Sequence, residues 1–502
     1  MATDTTPAAG PPDFAPGRPV VFRRATVLAV DTGAVVEDGD VLVTGGRIEA
    51  VGRELAVPAG TAEIDAAGGI LLPGMVDTHR HMYQTALRGI GADWTLGQYF
   101  AFCYLNWGEV FRPRDIHAGN LLAAVEALDA GVTTVLDWSH GLRTPEHADA
   151  AVDALRAVPG RHVLAYGNLL GAPWEWATGT DFRTFAERRF TPGDDMLGLQ
   201  LAFDVTGDPA FPERAAFEAA RELGLRVTTH AGVWGATDDD SIRLMWEHGC
   251  MTPAVTYVHA ASLSPDSCRR IADTGGTASV AAESELNAGQ GYPPTRRLHE
   301  YGIPVSLSTD SAMWGSADLF AAMRATLNAD RGRAHLAAHE RGETVSHHRL
   351  RAEDVVRWAT LGGARTLGLD SVTGSVTPGR KADLVLVKND RSPVMSPVVH
   401  PYGHIVLQAG RGDVHTVMVD GRVVKYGHLL LGGLRDRLAA ARSAAAETVE
   451  HVRAAMGERE WRTVREPALP AGAGGSGPYT YASREGRDGR DGGGGDGGGP
   501  EV

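Results

Sequence analysis

Two histidines one residue apart close the stretch Gly69-Ile-Leu-Leu-Pro-Gly-Met-Val-Asp-Thr-His79-Arg-His81. The stretch is apolar and β-branched, passes a Pro-Gly turn and ends in polar residues, so it reads as a strand that stops at the histidines. Side chains alternate faces along a strand, which points His79 and His81 the same way. Two imidazoles on one face make half of a metal site, yet a His-x-His is an ordinary coincidence in a chain with 19 histidines. Other metal-competent residues give it weight. His230, His259 and Asp310 each follow an apolar, β-rich run. Imidazole with carboxylate is a donor set for one divalent ion, Zn²⁺ first, with Fe²⁺ and Mn²⁺ as alternatives.

The elements that must hold these residues follow from the pattern around them. Strands are expected at 133–138, 162–166, 197–205, 226–229, 254–258, 277–282 and 305–308, separated by helical stretches rich in Ala, Leu and Arg such as 121–130 and 217–223. With the strand before His79 they make eight. Eight strands alternating with helices over roughly 300 residues fit a (β/α)₈ barrel of the TIM type, whose chemistry sits where the strands end. His79 and His81 follow the first strand, His230 the fifth, His259 the sixth and Asp310 the eighth.

On either side the texture is that of short hairpins, with breaks at Asp31-Thr-Gly, Asp38-Gly-Asp and Gly45-Gly, and again at Asp420-Gly. The simplest arrangement is one small β-sandwich built from both ends of the chain. The expected organisation is a disordered start (1–18), sandwich (19–70), barrel (71–372), sandwich again (373–428) and an amphipathic helix (429–463). A Gly- and Asp-rich tail (464–502) is expected to stay disordered, because it cannot bury enough apolar surface to offset its ordering entropy.

Composition narrows the partners. A net charge of −14 argues against nucleic acid or an anionic membrane and for a small-molecule substrate. Cys103, Cys250 and Cys268 are scattered and odd in number, which suits a reducing compartment and leaves any metal to His and carboxylate. No run reaches about 18 uninterrupted apolar residues, and no basic segment followed by an apolar core opens the chain, so a cytoplasmic protein is expected.

Pro73-Gly-Met-Val-Asp-Thr-His79-Arg-His81, Thr229-His230, Val258-His259-Ala260, Ser308-Thr-Asp310 and Gly379-Arg-Lys-Ala-Asp383 together resemble the amidohydrolase superfamily, in its cytosine-deaminase-like and triazine-hydrolase-like branch. The resemblance implies a mononuclear metal site held by His79, His81, His230 and Asp310, with His259 beside it. It also implies a homodimer and a reaction in which activated water displaces an amino, alkylamino or halide group from an N-heterocycle. Asp310 would carry the proton and His259 would stabilise developing charge. Some members bridge two metals with a lysine on the fourth strand. The only lysines here, Lys381, Lys388 and Lys425, lie beyond the barrel, and Asp204 would be the only substitute bridge.

One position departs from the pattern. Deaminases of the branch carry a glutamate three residues beyond the fifth-strand histidine, where it protonates a ring nitrogen; here the residue is Val233. Glu285, then Glu283, is the expected replacement. Otherwise the substrate needs no ring protonation, which makes a metal-dependent amidase or lactam hydrolase the second reading. A catalytically silent scaffold is the third. Gln84 and His140 are candidate substrate contacts, against readings as a helix-surface amide and a solvated loop histidine. Trp94, Trp107, Trp138, Trp234 and Trp314 could stack on a flat ring or simply pack.

Overall fold

The computed structural model describes residues 12–103, 109–233, 239–457 and 461. Eight parallel strands, Met75–Arg80, Val132–Ser139, Arg161–Tyr166, Leu197–Ala202, Arg226–Ala231, Val255–His259, Thr277–Val280 and Val305–Leu307, pair in sequence order. Every residue of the first, second, sixth, seventh and eighth is buried, as expected of barrel strands covered outside by helices and inside by the barrel's own side chains. Three of the covering helices, Pro113–Asp129, Pro145–Arg156 and Pro265–Asp273, begin with proline, whose fixed φ and missing N–H suit a first helical turn.

The seam between the eighth strand and the first is closed by residues of the candidate ligand set themselves. The Asp310 N–H donates to the His79 carbonyl and the His81 N–H to the Asp310 carbonyl, both at 2.9 Å. Asp77 reinforces the seam by accepting from the Thr309 N–H at 3.2 Å. The barrel therefore closes at the level where its chemistry lies.

The second sheet takes strands from both flanks: Val20–Ala29, Ala34–Thr44, Arg47–Gly52, Ala62–Asp65 and Ile70–Pro73 from the N-terminal side, and Leu384–Val387, Val414–Val419, Arg422–Tyr426 and Leu429–Leu430 from the C-terminal side. The halves meet where Ile70–Pro73 pairs antiparallel with Leu384–Val387. Hydrogen bonding runs continuously across this sheet. It nevertheless folds over itself, because Phe22, Val27, Val41, Ile48, Leu384 and Met418 share one buried core. It is a sandwich in its packing. At the far edges Gly421 (φ 77°) turns so close that a Cβ would lie 2.4 Å from the Gly46 Cα.

Residues 12–18, expected to be disordered, are instead tied to this domain. Arg18 donates to the Gly60 carbonyl at 2.6 Å, and the Phe14 ring meets Tyr426 edge-on at 5.2 Å. The helix Leu434–Met456 lies on Pro113–Asp129, with the Thr448 hydroxyl donating to Asp115 at 2.9 Å. The tail from 464 falls outside the described residues. Among the described residues no helix is long and apolar enough to cross a membrane.

Candidate metal centre and active site

Each expected ligand stands at or just beyond a strand end. His79 is the last but one residue of the first barrel strand with His81 one residue past its end, His230 lies in the fifth strand and His259 ends the sixth. Asp310 follows the eighth. All five are buried, none more than 8% exposed. Two overlapping groups, His79 with His230 and His259, and His79 with His81 and Asp310, bring ligand atoms within 4.8 Å of one another. His259 (φ 70°) and Asp310 (φ 56°) hold left-handed backbone conformations that cost a non-glycine residue of order 1–3 kcal/mol, a form of strain that collects at functional sites.

Hydrogen bonds fix which ring nitrogens face the centre. His81 Nδ1 lies 2.8 Å from the Trp138 carbonyl, which can only accept, so Nδ1 carries the proton and Nε2 is left with its lone pair. His230 Nδ1 lies 2.9 Å from Asp204 Oδ1, with the same result. Asp204, the remote candidate for a bridge, thus stands behind a ligand, where a carboxylate orients an imidazole and raises its basicity. Asp310 Oδ1 lies 3.2 Å from His79 Nε2 and 3.3 Å from His81 Nε2. Its other oxygen faces His259 Nε2 at 3.9 Å.

The electrostatics match this donor set. Burial, helped by His230 and His259 and opposed by Asp310, pushes His81 down to about 4. Burial holds His79 well below its ordinary value too, against the pull of Asp310. These imidazoles are therefore neutral, the form that binds metal. Burial alone would raise Asp310, but the His79 hydrogen bond and the interactions with the His79, His81 and His259 rings outweigh it and hold the carboxyl well below the usual range. Lone-pair nitrogens converging on an ionised carboxylate fit a divalent ion.

The other expected residues are placed differently. Glu285 does not face the centre: its Oε1 lies 3.3 Å from His259 Nδ1 and accepts from the Ala281 N–H at 2.9 Å. Glu283 takes the Ser316 hydroxyl at 2.6 Å. Gln84, expected at a helix surface or against substrate, is fully buried and engaged. Its amide donates to Tyr83 and Tyr99 at 3.2 and 2.7 Å, and its carbonyl accepts from Ser311 at 2.6 Å. His140 is not solvated; it stacks on His81 at 4.2 Å, with Tyr83 and Tyr99 hydroxyls 2.8 and 3.4 Å from its two nitrogens.

Trp94 packs in the core against Phe102 instead of lining a pocket. Trp138 is buried beside His230. Trp314 is half-buried, edge-on to Tyr99 at 4.5 Å, and donates to Ser284 at 2.6 Å. Trp107 and Trp234 lie outside the described residues. A narrow cleft lined by Tyr83, Cys103, Phe111, His140 and Leu169 opens beside the cluster. A hollow of about 610 Å³ on the sandwich, lined by Phe14, Val43 and Leu434, holds none of the site residues.

Sequence reasoning passed over Ser284, whose hydroxyl donates to Asp310 Oδ2, and Tyr99. Nothing in their local spacing distinguishes them.

A metal-competent cluster at the strand ends of a closed barrel, with a flanking sandwich, defines a hydrolase architecture. Residues 70–424 match the amidohydrolase family, and the chain belongs to that family; it is a hydrolase acting on C–N bonds other than peptide bonds. It is 30% identical over 426 residues to the 5-methylthioadenosine/S-adenosylhomocysteine deaminase of Symbiobacterium thermophilum, covering 81% of this chain and 93% of that one. It is 26% identical to the 5'-deoxyadenosine deaminase of Methanosarcina mazei, covering 81% and 92%. Among solved structures, a zinc-bound adenosine deaminase from Xanthomonas campestris superposes with a TM-score of 0.72 at 21% identity, over 86% of this chain and 98% of that one. Atrazine chlorohydrolase from Arthrobacter aurescens with zinc also gives 0.72, at 22% identity over 85% and 100%. These two likenesses establish the fold.

Proposed function

We propose that the chain is a zinc-dependent aminohydrolase that removes an amino group, or an alkylamino or halide group, from an N-heterocyclic small molecule of the aminopurine-nucleoside or aminotriazine kind. The observation that carries the reading is the convergence of His79, His81, His230 and Asp310, with His259 Nε2 across a 3.9 Å gap from Asp310 Oδ2. The substrates named for the relatives support the heterocycle.

His79, His81, His230 and Asp310 would hold the ion, which when bound supplies a Lewis acid able to deprotonate water near neutral pH. The protein's own groups do the rest. A gap of 3.9 Å between two polar atoms is too long for a direct hydrogen bond and suits one oxygen touching both. His259 and Asp310 would hold the attacking water there, and Asp310 would return its proton to the leaving nitrogen. Trp314 and Tyr99 would form a wall against which a flat ring can lie.

A specific observation favours a second reading, an amide or lactam hydrolase. Val233 is buried where deaminases of the branch carry glutamate, and Glu285 is turned to the back of His259. No described residue is thereby assigned to protonate a ring nitrogen, a step that amide hydrolysis does not need. The proposed setting is cytoplasmic, which the three buried, unpaired cysteines suit, and the proposed assembly is a homodimer, read by light scattering.

The test is ammonia and halide release by zinc-loaded protein from adenosine, 5'-deoxyadenosine, methylthioadenosine, and aminated and chlorinated triazines and pyrimidines, with amides and lactams alongside. Release from a ring supports the first reading. Turnover confined to amides moves the chain to the second, and silence across the panel with a full metal complement leaves a scaffold.

A further inference from the structure

The two groups that face each other across the 3.9 Å gap are both gripped by one short piece of chain. The helix Ala282–Ala288 follows the seventh barrel strand, and two consecutive residues in it reach the two proton-handling groups. Ser284 donates its hydroxyl proton to Asp310 Oδ2, and Glu285 Oε1 meets His259 Nδ1 at 3.3 Å. We propose that Ser284 and Glu285 are a positioning pair, a clamp that dictates which atom of Asp310 and which nitrogen of His259 face the attacking water. The proposal rests on the hydrolytic reading above and specifies its geometry.

The direction of each hydrogen bond follows from what its partners can do. Trp314 Nε1–H can only donate, and it donates to Ser284 Oγ at 2.6 Å; the serine's own proton is then free to point at Asp310 Oδ2. That holds the carboxylate plane with Oδ2 turned toward the gap, while Oδ1 stays with His79 and His81. On the other side, Glu285 Oε1 already accepts the Ala281 N–H at 2.9 Å, so it is an acceptor and His259 Nδ1 must be the donor. With Nδ1 engaged by Glu285, the ring turns Nε2 toward the gap. The clamp presents Asp310 Oδ2 and His259 Nε2 to one oxygen-sized space.

Several features show that the arrangement is specified. Ser284 and Glu285 are both fully buried, and Gln290, at the end of the same turn, adds a third contact to Asp310 Oδ2 at 3.5 Å. Glu285 Oε2 is buried with no hydrogen-bond partner. A buried carboxylate held through one oxygen is costly to keep, and its only side-chain partner among the described residues is His259. A carboxylate behind the proton-handling histidine would orient the ring and fix its tautomer, the role a buried aspartate plays behind a catalytic histidine elsewhere.

The test compares wild type with Glu285→Ala, Glu285→Gln, Ser284→Ala and the double variant Ser284→Ala/Glu285→Gln, all zinc-loaded and checked for metal content and melting temperature. The substrate-independent readout is the long-range ¹H–¹⁵N spectrum of the His259 ring in protein labelled with [¹⁵N]histidine. We expect one Nδ1–H tautomer in wild type and Glu285→Gln, which keeps an acceptor oxygen, and a mixture in Glu285→Ala. On whichever substrate the screen finds, kcat should fall on the order of 10²-fold in Glu285→Ala and less in Glu285→Gln, with KM within about twofold. The double variant should fall short of the product of its two single effects, because both residues serve one gap. An unchanged His259 spectrum in folded, metal-replete Glu285→Ala overturns the proposal, and so does a parallel loss of metal, melting temperature and kcat. The spectrum decides even if no N-heterocycle is turned over, so this idea and the substrate reading can fail separately.

Discussion

Asp310 has two oxygens and a separate task for each. Oδ1 sits with His79 and His81, Oδ2 with Ser284 and across from His259, and the left-handed backbone at Asp310 aims both. Burial makes such a centre sensitive to proton count, and a histidine away from the ligand set allows that to be measured cleanly. His162, in the third barrel strand, is pushed down to about 4, first by burial and then by the neighbouring Arg161. In the unfolded chain it titrates near 6.5, so between about pH 6.5 and 4 the unfolded state binds more protons. Its stabilising contribution is complete above that window and is lost as pH falls through it. Urea unfolding at pH 7.5 and pH 5 should therefore show wild type losing about 2 kcal/mol more than His162→Gln on acidification. Equal losses would mean that His162 is not held neutral. At this scale the candidate ligand cluster was legible because a strand end is a local signal that recurs after four different strands. Ser284 and Tyr99 were not, nor was the place of Asp204 behind His230, because what these residues do depends on which residue stands opposite, 26 positions away for both Ser284–Asp310 and Asp204–His230.

At the scale of elements, the joint between barrel and sandwich explains part of a motif that carried no chemistry in the sequence. In Gly379-Arg-Lys-Ala-Asp383, the aspartate is buried and takes two bonds from the guanidinium of Arg161, at 3.0 and 3.2 Å, plus the Asp420 N–H at 2.7 Å. Arg161 opens the third barrel strand and is also fully buried. The pair fastens the two domains; Arg161 keeps a second carboxylate partner in Asp195 at 2.9 Å, but removing Asp383 leaves two buried guanidinium donors and the Asp420 N–H without their acceptor. Asp383→Ala should cost about 3–5 kcal/mol in urea unfolding, with Asp383→Asn milder. A loss under 1 kcal/mol would show that water reaches Arg161. The elements themselves were largely foreseeable. The second strand, expected at 133–138, runs Val132–Ser139, and the sixth, expected at 254–258, runs Val255–His259, because β-branched runs between turn residues are unambiguous when both faces are buried. The register and the single-sheet continuity of the sandwich were not foreseeable, since they depend on a pairing between Ile70–Pro73 and Leu384–Val387 that no local pattern encodes.

For the whole molecule, an ion at this centre would cross-link strands that are remote in sequence: the first barrel strand, the fifth and the segment after the eighth. Anything that binds only the folded state stabilises it, by about 4 kcal/mol when its concentration is a thousand times its dissociation constant. Chelator-treated protein should therefore melt several degrees lower than zinc-loaded protein, and zinc should restore both melting temperature and hydrolysis. If the melting temperature did not move while hydrolysis stopped, the four ligands would be preorganised by the protein alone.

The split sandwich also sets an order of events at the ribosome. The strand Ile70–Pro73 emerges early, but its partner Leu384–Val387 follows only after the entire barrel has been translated, on the order of tens of seconds later at ordinary elongation rates. Through that interval the nascent N-terminal strands carry an open edge, unpaired backbone groups and the apolar side chains of Val27, Ile64 and Leu71 with no C-terminal half to cover them. A newly made chain is thus most exposed to chaperones, and to pairing with its neighbours on a polysome, before the strand Leu384–Val387 appears.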